Sequence, residues 1–183
     1  MTKSWRACEK NCTFVDKMKI ICFTHSNGIV KMVLKGDSSL LVNHKPFFIP
    51  DWSEDIRMTP CVVLRVSRLG KNINATFAHR YFDAVALGLN ICAADFAAKG
   101  DWTRGWAFDY SLPLGKWIPI PDNPWKNLIV SMENAIEQAS KIMTLRQGDM
   151  IAIDCNVASQ PLNKEEVIKI ENNGEELLYC KIK

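Results

Sequence analysis

The segment from residue 57 to residue 118 constrains the fold of this chain most. Two apolar runs, at residues 58–66 and 84–92, have the length of buried β-strands. Between them lie a turn with the sequence RLGKNI at residues 68–73 and a short helical pattern at residues 75–82 that Asn74 can cap. We therefore predict that the chain is organised around these two strands.

The remaining patterns add strands on both sides of this segment. Residues 18–23 predict a first strand, and shorter strands are predicted at residues 29–34, 39–42, 116–120 and 150–153. The dipeptide Asn173-Gly174 predicts a hairpin between residues 166–171 and 175–183. Pro60 lacks a backbone donor and predicts a sheet edge or a bulge.

One long helix is predicted near the carboxyl-terminal third. An apolar stripe at helical spacing begins at Trp125 and ends at Met143, with Asn123 as the predicted cap and Pro124 in the first turn. Strands outnumber helices throughout. The fold class is therefore α+β, with antiparallel or mixed sheets and a few short helices.

Composition excludes several classes of protein. The net charge is +3, and the basic residues are scattered, which argues against nucleic-acid binding. No apolar run approaches the roughly 20 residues of a membrane-spanning helix, and the amino terminus lacks a signal-peptide core, so we expect a cytoplasmic protein. Seven cysteines, several of them inside apolar runs, are expected to be reduced thiols. Residues 1–17 predict a loosely ordered extension, and residues 18–183 form the domain.

The order of motifs resembles the fumarylacetoacetate hydrolase family, in its short bacterial form. The segments that carry the resemblance are KIIC, KPFFIPDW, RLGKNI, FAHRYFDAVALGL, FDYSLPLGKWIP and TLRQGD. The resemblance implies a mixed β-sheet roll and a homodimer. It also implies a divalent metal ion that binds oxo-acid substrates for C–C bond hydrolysis, decarboxylation or tautomerisation.

The three metal-binding carboxylates of that family are missing. Aligned on the shared motifs, Thr59 and Cys61 stand at its two glutamate positions, and Asn90 stands at its aspartate position. A hydroxyl, a thiol and an amide supply no negative charge to a hard cation such as Mg²⁺. No cofactor is therefore expected, and Mg²⁺ or Mn²⁺ would bind only if the metal site is altered and still functional.

Other functional positions of the family have changed as well. The arginine before the aspartate of its A-R-D motif, which matches Asp95, is Ala94, and the glutamine after that aspartate is Ala97. Trp106 replaces the lysine of its K-x-F-D motif. Its threonine-rich turn is replaced at residues 153–156. Asp95 and Asp109 are retained, and without metal or lysine we expect them to serve structure more than catalysis.

Strand alternation places the remaining candidates in the vacated pocket. Thr59 and Cys61 share one face of their strand, as do Asn90 and Cys92. Cys155 could join these thiols, which leaves two readings open: a soft-metal or redox site, or buried cysteines that act as small apolar residues. Trp106 would fill the pocket or suit an aromatic ligand.

Two functions remain open. The first is a binding, regulatory or partner subunit that has lost metal-dependent catalysis, as a homodimer or as a heteromer with a related subunit, binding a small organic acid or an aromatic ligand. The second is an active hydrolase, decarboxylase or isomerase on a small 2-oxo or β-diketo acid. In both, neither nucleic acid nor membrane is an expected partner.

Overall fold

Most strands belong to one mixed β-sheet. The computed structural model describes residues 18–26, 28–121 and 127–183. The strands within these ranges are β1 (Ile20–Ser26), β2 (Ile29–Lys35), β3 (Leu40–Leu41), β4 (Ile56–Val66), β5 (Phe82–Ala93), β6 (Leu112–Ile118), β7 (Met150–Asp154), β8 (Gln160–Pro161), β9 (Val167–Asn172) and β10 (Glu175–Lys181). The large sheet has the order β2-β1-β7-β4-β5-β6-β3, with β8 beside β4, and β9 and β10 form a separate hairpin. The predicted α+β class and mixed sheet are confirmed.

The large sheet is strongly curved. From β2 to β5 there are four strand spacings, which would span about 19 Å in a flat sheet. Nevertheless, the Nζ atom of Lys35 on β2 lies 3.0 Å from the backbone oxygen of Ile91 on β5. β2 and β3 lie at opposite ends of the strand order, yet only four residues separate them along the chain. The sheet is therefore rolled, as the family resemblance implied.

Alternation divides the residues of the roll between two faces. The outer face, with Val62 on β4 and Leu89 on β5, is covered by helices on one part and by the β9–β10 hairpin on another. The inner face carries Thr59, Cys61 and Asn90 and packs against Trp106. The two long strands predicted from the sequence are thus the central pair β4 and β5, joined in antiparallel register.

The helices are short. The turn after β4 leads into a 3₁₀ helix at Ala75–Arg80, and the Asn74 side chain accepts a hydrogen bond from the Thr76 backbone as predicted. Two α-helices of five residues each follow β5, α1 (Ala94–Ala98) and α2 (Trp102–Trp106). The longest is α3 (Met132–Ile142).

Three local predictions need correction. α3 begins at Met132 behind a Ser131 cap, because Ser131 accepts a bond from the Asn134 backbone; the predicted cap Asn123 and Pro124 lie outside the described residues. The strand predicted at residues 39–42 is reduced to β3, because a 3₁₀ helix occupies Asp37–Ser39. Pro60 lies in an interior strand, where the partner of β4 changes from β7 to β8.

Candidate functional site

Thr59, Cys61 and Asn90, which the sequence comparison predicts at the family's metal-ligand positions, come together on the inner face. Thr59 on β4 is directly opposite Asn90 on β5, and Cys61 follows on the same side of β4. All three side chains are buried. The register of the two long strands therefore brings the three residues together, and none of the three is acidic.

The sequence analysis missed a buried carboxylate beside these residues. Asp154, the last residue of β7, pairs with Cys61 across the sheet and is only 2% exposed. The Asn90 side-chain nitrogen donates to its carboxylate at 2.9 Å. Burial raises the pKa of Asp154 to about 7, against the opposing effects of a hydrogen bond from Thr24, the Asn90 bond and the positive charge of Lys35.

A buried lysine was also missed. Lys35 is 2% exposed, and its Nζ donates to the backbone oxygens of Ile91 (3.0 Å) and Trp106 (2.7 Å) and to the Ser111 hydroxyl (2.7 Å). Burial lowers its pKa, while nearby thiols and the Asp154 carboxylate act in the opposite direction. Alternation from Val33 could have placed Lys35 on the inner face, but the Gly36 that follows it indicated a turn.

Trp106 and Cys92 complete the interior. Both are buried in the same apolar cluster as Cys61. The Trp106 ring centroid is 5.9 Å from the Lys35 ammonium. A cation therefore lies near the Trp106 ring. It comes from the edge strand β2 and is held by backbone oxygens and the Ser111 hydroxyl.

The two retained aspartates lie away from this interior. Asp95 is partly exposed in α1 and accepts a 2.6 Å hydrogen bond from the Ser53 hydroxyl. Asp109 is exposed and borders a separate surface cleft beside Trp52 and Phe108. The structure thus brings together Thr59, Cys61, Asn90, Cys92 and Trp106 from the predicted set, and leaves Asp95 and Asp109 outside.

The buried thiols are poor metal ligands. Cys22, Cys61 and Cys92 share the inner cluster, whereas Cys155 is half-buried at the end of β7. Burial raises the pKa of Cys22 and Cys92 to about 12 and that of Cys61 well above its usual value, so all three stay protonated at neutral pH. Within the described ranges, no group of three His, Cys, Asp or Glu side chains could hold a metal ion. The soft-metal reading gains no support.

One cleft gives solvent access to this region. It has a volume of about 290 Å³ and is lined by His25, Thr59, Asp154, Cys155 and the loop at residues 156–159. Burial and the neighbouring Asp154 raise the pKa of the Cys155 thiol, which therefore is not an activated nucleophile. Among the described hydrogen bonds, none joins His25 to Cys155 or Asp154, so these residues do not form a catalytic triad. The chemical group that this cleft presents is therefore the buried Asp154 carboxyl, which accepts hydrogen bonds from Asn90 and Thr24.

Comparison with solved structures decides the fold. A protein of Yersinia pestis provisionally assigned to the fumarylacetoacetate hydrolase family superposes with a TM-score of 0.77, covering 92% of this chain and 94% of that protein at 19% identity. The fumarylpyruvate hydrolase of Pseudomonas aeruginosa, solved with Mn²⁺ and pyruvate, gives a TM-score of 0.75 at 16% identity, with 91% and 88% coverage. This chain has the fumarylacetoacetate hydrolase fold.

Sequence comparison gives weaker support than the fold. A protein of Archaeoglobus fulgidus is 24% identical over 159 residues, which cover 76% of this chain and 64% of that relative. No family model matches the chain. The resemblance to fumarylacetoacetate hydrolases is therefore confirmed at the level of the fold, and the proteins similar in sequence include an archaeal one.

A divalent ion does not fit the inner face of this fumarylacetoacetate hydrolase fold. The Cys61 thiol stays protonated, and the Asn90 nitrogen faces Asp154 as a donor. The Asn90 oxygen is buried without a hydrogen-bond partner among the described residues, but an amide oxygen supplies no charge. Asp154 adds a single carboxyl group, whose pKa is about 7, where such an ion takes several oxygen ligands. In the part of the chain that the structure describes, no helix has the length and apolar character needed to cross a membrane.

Proposed function

We propose that this protein belongs to the fumarylacetoacetate hydrolase family and has lost metal-dependent catalysis, acting as a non-catalytic binding or partner subunit. The observation that carries the proposal is the chemistry of Thr59, Cys61 and Asn90 at one place on the inner face. A hydroxyl, a protonated thiol and an amide carry no negative charge and do not offset the free energy cost of removing water from Mg²⁺ or Mn²⁺. Cytoplasmic location and a homodimer, or a heteromer with a related subunit, belong to the same proposal.

The interior of the roll supports this proposal because a buried ammonium group and a buried ring already occupy it. The Lys35 ammonium has four uncharged hydrogen-bond acceptors, and the Trp106 ring is buried near it. An additional divalent cation near Lys35 would meet electrostatic repulsion. A small organic acid or aromatic ligand would have to bind in the cleft beside Thr59 and Asp154, outside this filled interior.

Metal titration with thermal unfolding tests the proposal. The melting temperature of the protein is measured with 0 to 10 mM MgCl₂ or MnCl₂, with CaCl₂ and NaCl at equal ionic strength as controls. We expect no stabilisation specific to Mg²⁺ or Mn²⁺, because an ion that binds only the folded state would raise the melting temperature by mass action. A saturable rise with either ion would contradict the proposal.

A second function is favoured by one observation, the position of Asp154 in the cleft. A carboxyl group whose pKa is about 7 can exchange protons at neutral pH, as an acid–base catalyst of oxo-acid tautomerisation requires. This alternative is an isomerase, decarboxylase or hydrolase on a small 2-oxo or β-diketo acid with an altered metal site or none. It predicts exchange of the pyruvate methyl protons in D₂O, followed by NMR, that disappears in Asp154→Asn. Exchange at the rate of a protein-free control would exclude this activity for pyruvate.

A further inference from the structure

The edge strand β2 presents an unusual surface. Its seven residues pair with β1 on one side, and within the described ranges no strand pairs with its other side. Native proteins commonly protect such edges with proline, a bulge, a covering loop or charged side chains, most often lysine. β2 contains no proline, its Lys35 is buried, and its Lys31 is partly exposed. Its Ile29 and Leu34 side chains are 62% and 49% exposed. This edge therefore has the backbone groups and the apolar surface that another extended chain would need.

Two clefts follow this edge, one on each face of β2. The inner cleft, of about 520 Å³, separates β2 from α2 and is lined by Lys31, Val33 and Trp102. The outer cleft, of about 340 Å³, separates Val30 from the end of α3, where Ile142 is 65% exposed. Successive side chains of a strand point to opposite faces. A strand added to β2 would place its side chains alternately near the two clefts.

The charge along this edge is positive. The Lys31 ammonium lies 4.2 Å from the centroid of the Trp102 ring, and no described carboxylate forms an ion pair with it. Lys141 beside the outer cleft is already paired with Glu137 at 3.0 Å. The inner cleft therefore combines an aromatic surface with an available cation, which favours an acidic side chain over a basic one.

We infer that β2 binds, by strand addition, an extended segment of another polypeptide that alternates apolar and acidic side chains. The backbone of the segment pairs with the edge, its apolar side chains enter the outer cleft and its acidic side chains face Lys31. Two occupants within this protein are less complementary. A second copy brings a second Lys31, and residues 1–17 carry four Lys or Arg against two Asp or Glu.

This inference rests on the proposed function, because it says what kind of polypeptide the proposed binding subunit would recognise. The edge is nevertheless built from Lys31, Trp102 and Ile142, which do not belong to the inner-face site, although β2 and α2 also contribute Lys35 and Trp106 to that site. Its test reads peptide affinity and not divalent-ion binding. The two can therefore fail separately.

Peptide binding to the full chain tests the inference. The probe is a fluorescently labelled seven-residue peptide, blocked at both ends, that alternates valine and glutamate, and anisotropy reports its binding. The matched peptide has lysine in place of glutamate. We expect the glutamate peptide to bind more tightly to the wild-type protein, and Lys31→Glu to weaken it about tenfold and to reverse the preference. Lys164→Glu makes the same charge change at an exposed position outside β2 and should leave both affinities unchanged.

Folding is checked for each variant by circular dichroism. If Lys31→Glu does not fold, Lys31→Met replaces it and should abolish the preference between the two peptides. Absence of binding by both peptides, or equal affinity of both for the wild-type protein, would overturn the inference. Light scattering that shows a dimer, dissociated by Leu34→Glu, would make a second copy the occupant and would also overturn it.

Discussion

Replacing Asp154 with asparagine should stabilise the protein at high pH and remove the contribution of Asp154 to the pH dependence of its stability. Burial raises the pKa of this carboxyl from its usual value near 3.8 to about 7. The folded protein therefore retains a proton on Asp154 that the unfolded chain releases. Because the unfolded state binds fewer protons across this interval, the free energy of unfolding falls as the pH rises from about 4 to about 7.

The magnitude follows from the size of the pKa difference. One pKa unit corresponds to about 1.4 kcal/mol, so between pH 5 and pH 8 the Asp154 contribution lowers the free energy of unfolding by about 2–3 kcal/mol. Asparagine has a similar shape and no charge, and the Asn90 amide can rotate so that its unpartnered oxygen accepts a hydrogen bond from the new side chain.

Urea unfolding at pH 5, 6, 7 and 8 measures this effect. The quantity of interest is the difference in unfolding free energy between the wild-type protein and Asp154→Asn, because other titrating groups cancel in it. We expect this difference to move in favour of the variant as the pH rises. Asp51→Asn, at an exposed position, is the matched control and should follow the wild-type curve. A difference that does not change with pH would refute the raised pKa of Asp154.

Two further substitutions test packing, one at the inner face and one where β6 meets the β9–β10 hairpin. Lys35→Met should lower the free energy of unfolding by about 3 kcal/mol, because it leaves buried carbonyl oxygens without a donor. It should also raise the Asp154 pKa further, because it removes a nearby positive charge. Urea unfolding across pH checks both effects, and a variant as stable as wild type would contradict them. Gly115→Ala should cost about 2 kcal/mol or more, because a Cβ atom there would lie 2.0 Å from the Leu177 backbone oxygen. Gly36→Ala is the control, because its Cβ would approach no atom closer than 3.9 Å. Equal urea midpoints for Gly115→Ala and Gly36→Ala would contradict the prediction.

The central part of the fold was predictable because its signals are local. Two long apolar runs became β4 and β5, the Asn74 cap is in place, and Asn173-Gly174 closes the hairpin with positive φ angles at both residues. Alternation then correctly grouped Thr59 with Cys61 and Asn90 with Cys92. These features depend on residues close in sequence or on one antiparallel pair.

The unpredicted features depend on how the sheet curls. Lys35 contacts Ile91, 56 positions away, only because the roll brings β2 toward β5, and no local pattern encodes that approach. Asp154 follows an apolar strand in a segment without family motifs, so its burial depended on the β1–β7–β4 order. Trp106 shows the intermediate case: its large apolar ring was visible in the sequence, but the approach of the Lys35 ammonium from β2 was not.

Restoring the three carboxylates tests the central account most directly. Calorimetric titration with MnCl₂ compares the wild-type protein with the triple variant Thr59→Glu, Cys61→Glu and Asn90→Asp, after circular dichroism has confirmed that the variant folds. We predict no measurable binding by the wild-type protein and saturable binding of one ion by the variant, because three carboxylates would then share one place on the inner face. Binding of Mn²⁺ by the wild-type protein, or none by a folded variant, would contradict the assignment of these positions.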